Sequence, residues 1–253
     1  MAKQNIYDNQ IFFEGYKNIR ENKDNANNLF EKPALFSLLP DIKGKRVLDL
    51  GCGFGEHCMH YISQGAESVV GIDISEKMLQ IAKKENAHCD ITYINMPMED
   101  IDRLDGKFDL AVSSLAFHYV EDFAGVVKSV YEKLNDGGVF VFSQENPLCT
   151  CHSGGDRWTR DENGEKMYVN LANYGIEGER ETQWFVDNVK KYHRTFSTII
   201  NTLNDARFVI EKMIEPLPTE EILKDAPEYR DLYHKPDFLL VRVRKERYKI
   251  GFK

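Results

Sequence analysis

The sequence has no apolar run longer than a strand, so no segment of it reads as a membrane span. Behind Lys3 the opening residues lack an apolar core, and a secretory signal is not expected. The five cysteines (Cys52, Cys58, Cys89, Cys149 and Cys151) are odd in number and scattered, which is not a disulfide framework and suits a reducing cytoplasm. No C-x-x-C pair faces a second half-site. Cys149-Thr150-Cys151-His152 and His57-Cys58 with His60 offer donors without zinc spacing, so no metal is expected. Positive charge is scarce as well. The net charge is −8, and the one basic cluster, Arg242-Val243-Arg244-Lys245-Glu246-Arg247, alternates with apolar residues like the solvated face of an edge strand. An acidic chain does not attract a polyanion, so nucleic acid is not expected as a partner. Internal repeats and low-complexity tracts are absent too.

What is present is an ordinary globular composition, 42% hydrophobic and 29% charged, in 253 residues, enough for one large α/β domain with a buried core or for two small domains. Residues 5–40 read as helices with a loop. Ile11, Phe12, Tyr16, Ile19 and Arg20 have helical spacing, Asn22–Asn28 is turn-like, and Leu29–Leu39 forms a second short helix that Pro40 stops. From Lys45 the chain alternates. Strands are expected at Lys45–Leu50, Ser68–Asp73, Ile91–Ile94, Phe108–Ser113 and Gly138–Ser143, with helices at Gly55–Gln64, Glu76–Asn86 (capped by Ser75) and Phe123–Leu134. These strands are nearly continuous in Val, Ile and Leu, as a parallel sheet covered on both faces requires. After Pro147 the periodicity stops, and residues 148–180 read as a long irregular loop, either a functional lid or disordered. It returns with the helix Arg194–Asp205 and the strands Phe208–Ile214 and Phe238–Val243.

The chemistry begins at Val47-Leu48-Asp49-Leu50-Gly51-Cys52-Gly53-Phe54-Gly55, a strand that runs into three alternate glycines. Glycine serves where backbone turns sharply or approaches a ligand closely. Asp73, twenty residues beyond Gly53, ends the next strand, where a carboxylate can accept ribose hydroxyls. Together they indicate an adenosine-containing cofactor. A dinucleotide fingerprint needs a third small residue, but that slot holds Glu56 or Cys58, depending on the glycine counted from. A pyrophosphate wants a bare helix N-terminus, whereas an acid ahead of G-x-G-x-G suits a partly cationic ligand carrying an ammonium and a sulfonium.

Asp49-Leu50-Gly51-Cys52-Gly53-Phe54-Gly55, Val70-Gly71-Ile72-Asp73-Ile74-Ser75, Phe108-Asp109-Leu110-Ala111-Val112-Ser113-Ser114 and Leu134-Asn135-Asp136-Gly137-Gly138, in that order, resemble the motifs of class I S-adenosylmethionine-dependent methyltransferases of the small-molecule branch. The resemblance spans roughly residues 45–145. It implies a Rossmann-like, doubly wound, mostly parallel seven-stranded α/β sheet with a C-terminal antiparallel strand and helices on both faces. It implies an N-terminal helical lid (1–40) and a methyltransferase domain (41–253) with a substrate-side insertion at about 148–193. The implied cofactor is S-adenosyl-L-methionine, leaving as S-adenosyl-L-homocysteine. The partner is a small-molecule methyl acceptor, and the protein is a monomer or homodimer. Asp49 and Gly51 would lie by the methionine amine, with Cys52 in the same loop, and Gly53 and Gly55 would let the backbone pass beneath the cofactor. Asp73 would take the ribose, Ile74 and Met78 would pack near the adenine, and Ser114 and Leu115 would supply backbone under the methionine part. The adenine-side motif departs from the family's pattern. Pro97 stands where an acid is common, leaving Met98 and Glu99 to take over.

In-line methyl transfer needs alignment first, then a base where the acceptor carries a proton. His118, in the loop after the fourth strand, could be that base or could hold the loop. His193 is a second candidate base. Beside it, Arg194 could pair with a substrate carboxylate or serve a salt bridge, and Tyr192, Trp184 and Phe185 could shape or roof the pocket. Glu145, at the carboxyl end of the fifth strand, points where ligands bind in open sheets. Tyr16 and Arg20 on the N-terminal helix could close over the cofactor, the guanidinium reaching its carboxylate. Two other readings stand beside this one. A nicotinamide-dependent oxidoreductase is disfavoured by Glu56 and by the lack of a Tyr-x-x-x-Lys pair after the fourth strand. A non-catalytic S-adenosylmethionine-binding protein would have a closed apolar pocket with no polar residue near the methyl.

Overall fold

The computed structural model describes residues 4–22, 24–152 and 154–246. The chain opens with helix α1 (Gln10–Glu21), whose N-cap Asn9 accepts the Phe12 N–H at 3.2 Å. A widened helical turn over Asn27–Glu31 leads into α2 (Lys32–Ser37), with Pro33 in its first turn. The expected alternation follows as β1 (Arg46–Leu50), α3 (Glu56–Ser63), β2 (Ser68–Asp73), α4 (Glu76–Glu85), β3 (Ile91–Asn95), β4 (Phe108–Ser113), α5 (Phe123–Lys133) and β5 (Leu134–Glu145). Ser75 caps α4 by accepting the Met78 N–H at 3.1 Å.

Seven strands join in the order β3-β2-β1-β4-β5-β11-β10, where β10 is Phe208–Ile214 and β11 is Phe238–Lys245. All run parallel except β11, which is antiparallel to both β5 and β10. The basic cluster therefore does not lie on an edge strand. β11 is second from the edge, and its side chains are engaged: Arg242 and Arg244 both reach Glu211 at 2.7 Å, and Lys245 donates to the Tyr131 and Leu134 carbonyls. Arg247 lies outside the described residues.

Alternation along each strand fills both faces. Val139 and Val141 pack with Tyr61 of α3 and Leu35 of α2, while Phe140 and Phe142 pack with Val126 and Val130 of α5 and Leu203 of α7 (Phe196–Asp205). Each such side chain contributes about 1.5–3 kcal/mol on burial. The strand order reverses between β1 and β4, since β2 and β3 follow on one side of β1 and β4 and β5 on the other. A crevice opens there at the carboxyl ends, where doubly wound sheets place ligands.

The stretch after β5 is not the irregular loop expected from its composition. It holds a one-turn helix α6 (Pro147–Thr150) and two hairpins, β6–β7 (Trp158–Arg160, Lys166–Val169) and β8–β9 (Gly178–Trp184, Val186–His193). The second hairpin turns at Phe185, whose φ of 59° is a left-handed conformation. Its strands bury only alternate residues such as Val189, Lys191 and His193. A further short helix, α8 (Glu220–Asp225), lies between β10 and β11. Among the described residues no helix is long and apolar enough to cross a membrane.

Candidate active site

The glycine loop is held from below. The Gly51 and Cys52 N–H groups both donate to the Ile72 carbonyl at 2.9 Å, and the Gly53 N–H donates to Asp73 at 2.9 Å. The other Asp73 oxygen accepts the Ser75 N–H at 2.8 Å. Gly51, Gly53 and Gly55 have φ of 73°, 54° and 78°, a region where a Cβ is strained. No atom lies within 4 Å of where a Gly53 Cβ would stand, so the loop leaves a hollow above it. Burial pushes the Asp73 carboxyl up to about 6, against the lowering effect of its two N–H donors.

That hollow belongs to a cleft of about 850 Å³. Gly51, Gly53, Asp73, Ile74, Met78, Met98, Glu99, Ser114 and Leu115 line it, together with Tyr16. The mostly apolar wall with a few polar groups suits a ligand that is part apolar and part polar, as an adenosine-containing cofactor is. A recess beside the loop gathers Tyr16, Arg20, Cys52 and Ser114, and there Arg20 pairs with Glu56 at 2.6 Å. Gly55 stands at the start of α3, tight under the Tyr93 hydroxyl. Asp49 lines neither space. Its carboxylate accepts the Cys58 thiol at 3.3 Å beneath the loop, and desolvation pushes its carboxyl up to about 7.

Three features of the cleft escaped sequence reasoning. Tyr7 and Tyr119 face it, their rings edge to face at 6.1 Å. Burial holds both phenols well above their ordinary range, so they stay neutral. Glu31 is buried at the end of the widened turn and accepts the Ser114 hydroxyl at 2.9 Å and the Ser143 hydroxyl at 2.5 Å. Ser143 in turn accepts the Leu115 N–H at 2.9 Å, which fixes Leu115 at a φ of 51°. Glu31 carries no motif. Only the fold brings it to residues more than eighty positions away.

A second chamber of about 970 Å³ shares Tyr7, Tyr16, Leu115 and Tyr119 with the cleft. Its far wall carries His118, Glu145 and Trp184. His118 Nδ1 accepts the Glu145 backbone N–H at 3.3 Å, so the ring proton sits on Nε2, 4.0 Å from the Glu145 carboxylate. Burial pushes this imidazole down to about 4, and it is neutral at physiological pH. Burial alone would raise the Glu145 carboxyl, but His118 and Lys191 outweigh it, and the group titrates below its ordinary value. Lys191 reaches Glu145 at 2.5 Å. Trp184 closes the wall, in edge contact with Phe12 and Tyr16 and 5.4 Å from the Lys191 ammonium.

Three residues expected near the substrate lie elsewhere. His193 is fully buried. Its Nδ1 meets the Thr150 hydroxyl at 2.8 Å and its Nε2 donates to the Tyr174 carbonyl at 2.9 Å, so neither nitrogen is left for a substrate proton. The Arg194 guanidinium donates to the Val120 and Glu121 carbonyls and lies over the Phe123 ring at 5.0 Å, so it clamps the loop after β4. Tyr192 stacks on Arg194 from outside, and its hydroxyl points to Glu179. Among the described residues, donors that gather as metal ligands do are the exposed His88, Cys89 and Asp90.

Comparison with known proteins agrees with this geometry. Residues 47–138 match the model of a methyltransferase domain family. A solved S-adenosylmethionine dependent methyltransferase from Mesorhizobium loti is 41% identical. The match covers 85% of this chain and 97% of that one, with a TM-score of 0.77. A Haemophilus influenzae protein without an assigned function is 41% identical over 96% of this chain and 98% of its own length. A malonyl-[acyl-carrier protein] O-methyltransferase from Enterobacter lignolyticus is 34% identical, but only over 44% of this chain and 43% of that protein.

Proposed function

This chain belongs to the S-adenosylmethionine-dependent methyltransferases, and from that premise we propose that it methylates a nitrogen or oxygen of a small molecule held in the second chamber. The observation that carries the proposal is the shared wall. Tyr7, Tyr16, Leu115 and Tyr119 separate the cofactor cleft from a chamber that ends in an ionised carboxylate.

In this reading the hollow above Gly53 takes the cofactor, and Asp73 accepts its ribose hydroxyls. Ile74, Met78 and Met98 pack around the adenine, with Glu99 at its rim. In the recess Arg20, paired with Glu56, takes the methionine carboxylate, while Asp49 braces the loop from below without touching the ligand. When bound, the cofactor supplies an electrophilic methyl on a sulfonium. The tyrosine rings exclude water there and favour positive charge at their faces. Glu145 receives the acceptor's proton as the new bond forms. His118 orients Glu145 through its backbone N–H and stays neutral, and Lys191 holds the carboxylate ionised. Residues 1–40 act as the lid, with Tyr7 and Tyr16 on its inner side.

Calorimetric titration with S-adenosyl-L-homocysteine and, separately, with NADH tests the donor. Binding of the first alone is expected, and binding of NADH alone would refute the reading. Incubation of a metabolite extract with methyl-labelled donor then tests for transfer to a small molecule. Label found only on protein or nucleic acid would overturn the acceptor class. A protein that bound the donor in the cleft but supported no transfer would match a non-catalytic binder, a reading the Glu145–His118 pair disfavours.

A further inference from the structure

Past Glu145, Trp184 and Phe238 the second chamber adjoins a third, of about 1120 Å³, walled by the β8–β9 hairpin, the residues around α6 and the approach to β11. Its charges do not balance. Its two carboxylates, Glu145 and Asp237, are each engaged by a lysine at 2.5 Å, Lys191 and Lys235. Arg157 and Arg180 remain: Arg157 acts on Glu145 through its field without touching it, and among the described residues neither arginine forms an ion pair with a carboxylate. Arg180 is only 9% exposed. Its terminal nitrogens donate to the Glu179 and Ile176 carbonyls, and its Nε has no partner. His152 adds a second unsatisfied nitrogen. Its Nε2 donates to the Gly155 carbonyl at 3.0 Å, which leaves Nδ1 unpaired.

A buried guanidinium without a counter-charge is costly. Here the cost is borne inside a protein of net charge −8. We propose that the third chamber is an anion subsite that holds a carboxylate or phosphate group of the methyl acceptor. Arg157 and Arg180 grip the anion, and the rest of the molecule extends past Trp184 toward Glu145. The proposal rests on the small-molecule acceptor reading above and names a class within it, acceptors that carry an oxyanion at the end remote from the methylated atom. Guanidinium forks suit such planar or tetrahedral groups better than the chamber's lysines, which already hold carboxylates. The anion is not the cofactor's own carboxylate, because the third chamber shares no wall residue with the cofactor cleft. Arg194, which the sequence offered for this role, is spent on backbone carbonyls.

The test is calorimetric titration of the full chain at low ionic strength with inorganic phosphate and with succinate, each in parallel with S-adenosyl-L-homocysteine. At least one of the two anions is expected to bind, and the tighter one identifies the group. R157Q and R180Q should each weaken that anion by about tenfold or more, the worth of one charge-assisted hydrogen bond, while donor-product affinity stays within about twofold. Arg157 is exposed, so R157Q keeps the test decisive even if R180Q does not fold. Failure of both anions to bind, or unchanged anion binding by R157Q, overturns the subsite. Loss of donor-product binding by the wild-type protein with anion binding intact would count against the methyltransfer reading and leave the subsite standing.

Discussion

Replacing Asp73 with alanine is the sharpest test of where the donor sits. The side chain offers two carboxylate oxygens at the end of β2, each already accepting one N–H, from Gly53 at 2.9 Å and from Ser75 at 2.8 Å. Ribose hydroxyls donating to the same carboxylate form charge-assisted hydrogen bonds of about 1.5–3 kcal/mol. Losing one of them corresponds to a roughly 10- to 150-fold drop in affinity for S-adenosyl-L-homocysteine. A pH series sharpens the reasoning. The carboxyl sits at about 6 in the free protein, raised from 3.8 chiefly by burial, and the ribose donors pull it down on binding. Affinity is therefore full above about pH 6 and falls below it, with a limiting slope of about tenfold per pH unit. For folding the sign is opposite. A carboxyl raised in the folded state contributes stability that is fully present below 3.8 and is lost as pH rises through about 6. Asp73→Asn should flatten both dependences. An alanine variant that binds donor product within about twofold of wild type, or an asparagine variant that keeps the affinity slope, would refute the placement.

Other perturbations separate chemistry from support. Glu145→Gln should lower kcat by about 10²- to 10⁴-fold once an acceptor is known, and leave donor-product affinity unchanged in calorimetry. Because the Glu145 carboxyl is held below its ordinary value, the wild-type rate should not decline through its protonation until the pH falls below about 4.5. His193→Ala should cost about 2–4 kcal/mol in a denaturant titration, because it strands the Thr150 hydroxyl and the Tyr174 carbonyl and opens a cavity. Its donor-product affinity should match wild type, and a kinetic loss without a stability loss would show His193 to be catalytic after all. In Gly55→Ala the new Cβ would meet the Tyr93 hydroxyl at 2.2 Å on a backbone with φ of 78°, so a thermal melt should show clear destabilisation, about 1–2 kcal/mol from the backbone alone.

The repeated strand–helix order, the turn glycines and the Asp73 distance were legible because each depends on neighbours within one strand–loop–helix unit. Val139 to Phe142 alternate between the two faces of the sheet, and that periodicity is written locally. The glycine φ values and the Ser75 cap are likewise local steric and hydrogen-bonding demands. The sequence could also name Glu145 and Trp184, since strand ends and large aromatics near an insertion are natural wall residues. It could not tell that β11 inserts between β5 and β10, because strand neighbours depend on which faces remain to be covered after the rest of the sheet has formed. It misplaced Arg194 and His193, whose types suit catalysis but whose hydrogen bonds are taken by backbone carbonyls and a threonine. The hairpin of the insertion was hidden because charged and polar residues dominate its strands, so the few apolar side chains such as Val189 do not write a period-two alternation. Glu31, Tyr7 and the unpaired Arg180 became visible only in three dimensions. What makes each of them matter is a partner, or the absence of one, across a cavity, and a cavity is made by elements far apart in the chain.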